Sequence, residues 1–257
     1  EGVSQLALAP DGSRLYVTQG CNAGGVDPPW PCQSPSRVAI VDPATLAVTA
    51  TVAAGEGVTA IAVSRDGTTL CTCDFLARTA SLIDLPTLHT RTVELPSTCG
   101  GVALRPDGAR AFVTLPGSWR TTFDTRVGAI DVTSGVLVAT IPVHIEPLAI
   151  AMDPGGTRAF VTDGNANGAN PAEVHIVDTV DNTRVGSILL RPPATVMPTA
   201  LDISPDGAAL YVVSEAVEYE ANGARHHRTR LLAVDVATRS VRASLALQPR
   251  GVRVSAD

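Results

Sequence analysis

The sequence predicts an all-β chain folded as a β-propeller of four-stranded antiparallel blades. Three observations carry that prediction. A short apolar strand that runs into a tight turn recurs five times along the 257 residues. Each copy is followed by three further strands with period-2 alternation, and no stretch has helical period. The turn positions Asp11, Asp66, Asp107, Gly155 and Asp206 are spaced by 55, 41, 48 and 51 residues. Four-stranded units at such a period are the signature of blades set around a common axis.

The elements follow in register. The first strand and its turn read LALAPDG (6–12), IAVSRDG (61–67), VALRPDG (102–108), IAMDPGG (150–156) and LDISPDG (201–207). The second reads LYVT (15–18), LCTC (70–73), AFVT (111–114), AFVT (159–162) and LYVV (210–213). The third ends in aspartate, as VAIVD, ASLID, VGAID, VHIVD and LLAVD, at Asp42, Asp84, Asp131, Asp178 and Asp235. A fourth strand follows a short turn. The blades are thus bounded at about 4–56, 57–98, 99–147, 148–198 and 199–250. Residues 251–257, GVRVSAD, match the start of a further unit and favour a segment of a larger ring, expected to have seven blades. Open strand edges in such a segment predict aggregation when it is expressed alone.

The recurring Tyr-Val-Thr at 16–18, with its variants and the third strand ending in Asp, resembles the YVTN family of propeller repeats along essentially the whole chain. The resemblance implies a seven-bladed scaffold of extracytoplasmic proteins, including surface-layer proteins, with lactonases and parts of redox enzymes among related propellers. It implies no single activity. The departures are Cys71 and Cys73 in the second blade and Gly155 in the fourth turn.

Composition narrows the function classes. Apolar residues make up 45% of the chain and charged residues 17%, which argues against disorder; aromatics are only 4%, so Val, Ile, Leu and Ala must build the core. The net charge is −6 and every cation except histidine is arginine. An acidic chain without a basic cluster is a poor nucleic-acid binder. No apolar run reaches the roughly 18 residues of a membrane span. The first residues, EGVSQLALAPDG, lack a basic leader and begin straight in patterned sequence, as a mature or trimmed segment would.

In a meander, connections alternate between the two ends of a blade. The uniform turns between strands one and two, and three and four, share one rim. The connections between strands two and three share the other rim with the crossovers between blades. Those second-to-third connections vary in length, at 19–36, 115–126, 163–173 and 214–229, against a few residues at 74–79. Long loops gathered on one rim of a rigid scaffold are where binding resides. Trp30, Trp119, Tyr219, His226 and His227 are the candidate ligand-binding side chains there, for a protein or small-molecule ligand.

The repeated aspartates read as turn caps, because Asp accepts hydrogen bonds from backbone N–H groups two or three residues on. DGNANG (163–168) matches the first half of a calcium loop, with Asp163, Asn165 and Asn167 as oxygen ligands and Glu173 one position short of the usual bidentate glutamate. A weak Ca²⁺ site and an Asn/Gly-rich loop both fit that pattern. His226 and His227, with the glutamates of 215–220, suit a transition-metal site only in an irregular loop, since adjacent strand residues face opposite ways. His89, His144 and His175 read as packing or surface residues. No motif for a nucleophile elbow, a zinc protease helix, a phosphate loop or haem attachment is present.

Five cysteines favour an oxidising compartment. Cys21 and Cys32 bracket a Gly- and Pro-rich loop, and a disulfide between them is expected to hold Trp30 on the variable rim. Cys71 and Cys73 share a strand face, and either can meet Cys99 or serve as a small buried apolar group. The leading reading is a non-catalytic extracytoplasmic scaffold. A lactonase-like hydrolase and an accessory propeller of a periplasmic cytochrome-containing redox protein are the alternatives.

Overall fold

A computed structural model describes residues 2–20, 36–117, 125–143, 146–164, 172–190, 196–219 and 225–247. They form twenty strands in five sheets, each a simple meander. Blade 1 holds β1 (Gly2–Leu8), β2 (Leu15–Gly20), β3 (Arg37–Val41) and β4 (Val48–Ala53). Blade 2 holds β5 (Val58–Val63), β6 (Thr69–Asp74), β7 (Thr79–Asp84) and β8 (His89–Glu94). Blade 3 holds β9 (Val102–Leu104), β10 (Arg110–Leu115), β11 (Arg126–Asp131) and β12 (Val136–Pro142). Blade 4 holds β13 (Pro147–Met152), β14 (Arg158–Asp163), β15 (Glu173–Asp178) and β16 (Thr183–Leu189). Blade 5 holds β17 (Val196–Ile203), β18 (Ala209–Tyr219), β19 (Arg225–Asp235) and β20 (Ser240–Leu247).

The turns form as their residues dictate. Asp11, Asp66, Asp107 and Asp206 accept the backbone N–H two residues on, at 2.9–3.0 Å. The glycine that follows each has a φ of 69–72°, a left-handed conformation that costs glycine nothing. At the third-to-fourth turns Asp42 and Asp178 accept from the N–H two residues on, of Ala44 and Val180, and Asp84, Asp131 and Asp235 from the N–H three residues on, of Thr87, Ser134 and Thr238. These bonds stabilise the ionised form and hold the carboxyls of Asp11, Asp66, Asp84, Asp131, Asp178 and Asp206 below their ordinary range.

The Thr of the second strand has a structural task. The innermost strand slips register near its start in blades 1, 2, 4 and 5, leaving ladder groups without backbone partners. Thr18 and Thr162 present their hydroxyls to the backbone of Gln5 and Ala149 at those slips. In blade 3, Thr114 accepts from Gly101 N (2.7 Å) and donates to Leu148 O in blade 4 (2.8 Å). Blade 2 has Cys73 here instead, and Cys73 forms a disulfide with Cys99 in the crossover to blade 3, Cα to Cα 5.3 Å. Of the two partners the sequence left open for Cys99, the structure selects Cys73. Cys71 is a buried free thiol.

The core lies between blades as well as within them. Tyr16, Val38, Ile40 and Val52 of blade 1 pack on Leu70 and Ile83 of blade 2. Cys71, Cys73, Ala80 and Leu82 meet Ala111, Val113 and Ile130. Phe112, Val127 and Ile141 meet Ala159 and Val161, and Phe160, Val174 and Ile176 meet Leu210, Val212 and Leu232. The inner strands follow one another, β1 on β5, β5 on β9, β9 on β13 and β13 on β17. No comparable packing joins β17 to β1 among the described residues. The outer faces of the end blades are correspondingly open, with Leu6 63%, Leu8 54%, Tyr211 44% and Leu245 60% exposed.

Candidate functional site on the insertion rim

The residue just after each aligned Tyr-Val-Thr copy lies toward the variable rim. In blade order it is Gln19, Asp74, Leu115, Asp163 and Ser214. Two of the five are carboxylates, and both are buried. Asp74 accepts from the hydroxyls of Thr72 (2.7 Å), Ser81 (2.6 Å) and Thr79 (3.1 Å). Ser81 in turn accepts from Gly55 N in the crossover out of blade 1 (3.1 Å), and a Cβ on Gly55 would collide with the Asp74 carboxylate. Burial raises the Asp74 carboxyl above its ordinary range, and the hydroxyl bonds oppose that shift. With both oxygens engaged, Asp74 ties two blades together and offers a ligand nothing.

Blade 4 fills the equivalent place differently. His175, fully buried, occupies the third-strand position that Ser81 holds in blade 2. Its Nε2 lies 3.9 Å from Asp163 Oδ2 and its Nδ1 3.8 Å from Glu173 Oε2. Glu173 reaches solvent, with a quarter of its side chain exposed, and pairs outward with Arg184 at 3.9 Å. The run Asp163, His175, Glu173, Arg184 thus leads from the buried interface past the rim residue Glu173 to the outer strand β16, alternating in charge when His175 is protonated. Such a run can position a charged group at the rim. Among the described residues, no group of three His, Cys, Asp or Glu is arranged to hold a metal ion.

The sequence candidates are distributed as follows. Asp163 and Glu173 of the expected calcium loop come together, but around the His175 imidazole, which the sequence reading assigned to packing or surface. Trp30, Trp119, Asn165, Asn167 and the Cys21–Cys32 pair lie outside the described residues. The expected loop 214–229 is corrected: β18 continues to Tyr219 and β19 begins at Arg225, so the insertion is a hairpin with eleven-residue strands. His226 pairs in register with Glu218, and His227 with Val217. The backbone ladder thus continues through the stretch whose charge density suggested an irregular loop. His226 and His227 are successive positions of this strand.

The sequence reading missed Asp74, Ser81 and the role of His175. The signal that finds them is the residue just after the aligned Tyr-Val-Thr copies, read together with its third-strand partner. A carboxylate there has to be met by a hydroxyl or an imidazole.

No protein-family model and no curated protein matches the chain. The fold is similar to Kuenenia stuttgartiensis hydrazine synthase, with a TM-score of 0.75 and 20% identity, over 96% of this chain and 66% of that one. The chain therefore spans just under two thirds of that neighbour. It is also similar to the Myceliophteria thermophila Cps50 (Swd1) beta-propeller domain, with a TM-score of 0.62 and 15% identity, over 95% of this chain and 86% of the other. The protein is a β-propeller. No helix of the propeller is long and apolar enough to cross a membrane among the described residues.

Proposed function

We propose that the propeller is a non-catalytic, extracytoplasmic scaffold that binds a protein or small ligand through the rim carrying the second-to-third insertions and the crossovers. The observation that supports this reading is the contrast between the rims. One is built from ten short turns, nine of which carry the repeated aspartate. The other carries the β18–β19 hairpin and the insertions of blades 1, 3 and 4. Buried links tie that second rim down at Asp74, at Cys73–Cys99 and at His175. A scaffold made rigid beneath unequal loops suits recognition, since fewer groups must be ordered on binding. The disulfide supports an oxidising compartment, as does the resemblance to YVTN repeats.

The test is site-specific photocrosslinking in intact cells, with the probe at position 219 on the hairpin and at position 107 on the opposite rim. A discrete adduct from 219 and none from 107 is expected. Equal labelling from both positions, or none from 219, refutes the reading.

The likeness to hydrazine synthase favours a second reading, an accessory propeller of a redox protein. Spectroscopic detection of haem co-purifying with the natural full-length product would support it, and a product without any chromophore would end it.

A further inference from the structure

The first-to-second turns are near copies, and the one break in their proline pattern lies beside a buried tyrosine hydroxyl. Four turns carry proline before the Asp-Gly or Gly-Gly pair, at Pro10, Pro106, Pro154 and Pro205; blade 2 carries Arg65. The second-strand residue that faces the next blade's core is Phe112 and Phe160 in blades 3 and 4, but Tyr16 in blade 1, only 1% exposed. Tyr16 thus buries a hydroxyl where those two blades place a bare ring, while blade 2 has Cys71 and blade 5 the exposed Tyr211 at this position.

The turns of neighbouring blades close on each other between blades 3 and 4 and between blades 4 and 5, whereas between blades 2 and 3 nothing stands within 4 Å of a Cβ on Gly108. Pro106 stands 2.6 Å from where a Cβ of Gly156 would be, and Pro154 3.2 Å from that of Gly207. Pro10 stands back from Gly67 at 3.9 Å. A cleft of about 320 Å³ opens between blades 1 and 2, walled by Pro10, Asp11 and Arg14 on one side and Arg65 and Asp66 on the other, with Tyr16 in its lining.

The charges in this cleft are not balanced against each other by contact. Asp11 is engaged by the N–H and hydroxyl of its own Ser13, and Asp66 by Ser64 and Thr68. No ion pair joins Arg14 or Arg65 to a carboxylate among the described residues. Burial raises the Tyr16 phenol above its usual range, with the Asp11 charge adding to the shift and the Arg14 guanidinium, which donates to the phenol oxygen, opposing it; the phenol keeps its proton and can itself donate. Two guanidinium forks with donors to spare and one buried hydroxyl make a donor set that a planar or tetrahedral oxyanion can satisfy.

We propose that this cleft between the turns of blades 1 and 2 binds an oxyanion, the carboxylate or phosphate group of a small solute, held by Arg14 and Arg65 from opposite walls and by the Tyr16 hydroxyl. It lies on the uniform rim, opposite the insertions, and does not depend on what those bind. The Asp11 and Asp66 carboxylates keep the affinity for a bare anion modest and favour a solute that carries a hydroxyl or amino group beside the oxyanion.

The test titrates the propeller with inorganic phosphate or acetate at constant ionic strength, following backbone amide resonances. Saturable shifts confined to residues 9–16 and 64–68 are expected. Arg65→Pro and Tyr16→Phe install residues that other blades already use, so the fold is retained while the donors go. Arg65→Pro should weaken binding at least tenfold, and Tyr16→Phe at least threefold. Saturation by phosphate alone assigns a phosphoryl ligand, and by acetate alone a carboxylate. Shifts that fail to saturate with either anion, or that survive Arg65→Pro unchanged, overturn the proposal.

Discussion

Breaking the Cys73–Cys99 bridge is predicted to destabilise this propeller markedly. The bridge closes 26 residues, spanning the third and fourth strands of blade 2 and the crossover into blade 3. For a loop of that length the chain-entropy relation gives a loss of about 3.5 kcal/mol at 25 °C. Replacing both cysteines by alanine should cost about that amount. Replacing Cys73 by Thr and Cys99 by Ala should cost less, by about 1 kcal/mol, because it supplies the hydroxyl that blades 1, 3 and 4 use at the same place. For a chain of this size the alanine pair should lower Tm by about 7–14 °C. Urea unfolding followed by circular dichroism measures both variants, and non-reducing peptide mapping checks the pairing itself. That map should contain the 73–99 link and leave Cys71 unmodified until denaturant is added, since burial pushes its thiol far up and shields it. An alanine pair within about 0.5 kcal/mol of the oxidised protein would refute the reasoning, as would a map linking Cys71 to Cys99.

Asp74→Asn should become more stable relative to the parent as pH rises from 3.5 to 7. The folded Asp74 carboxyl is raised, so its favourable contribution is present below the unfolded value near 3.9 and is lost as pH climbs through the folded one; urea midpoints at the two pH values decide this. The turn aspartates act in the opposite sense, because their folded carboxyls are lowered. Replacing Asp84 by Asn should therefore cost stability at pH 7 and progressively less as the pH falls through the folded value. Thr114→Val strips the partner from Gly101 N and Leu148 O and should cost about 1–3 kcal/mol by the same unfolding assay. Leu46 sits at φ 55° in the turn of blade 1 and is 74% exposed, so Leu46→Gly relieves backbone strain with little lost burial. It should gain about 0.5–1 kcal/mol, read as a higher urea midpoint.

Much of this propeller is legible locally. The alternation of LYVT or AFVT with PDG and a strand ending in Asp needs only neighbouring residues to be understood, because the turns are closed by their own side chains. The blade boundaries and the caps at Asp11 or Asp178 therefore emerge from the chain read alone. The rim is a different matter. Charge density in EAVEYEANGARHHRTR suggested a loop, whereas cross-strand pairing carried the strands to Tyr219 and Arg225. Asp163 and Glu173 suggested a cation loop, and the fold inserted the buried His175 between them.

Sequence alone determined the class of fold, the repeat, the two unequal rims and the turn chemistry, since each rests on contacts a few residues apart. Tertiary structure decided which cysteine meets Cys99 and which hydroxyls satisfy Asp74. It also decided how the open outer faces of blades 1 and 5 differ from the sealed ones between them, and where Tyr16 and Arg65 meet across two blades. Those outcomes depend on groups far apart in the chain, brought together when one apolar blade face is laid on the next.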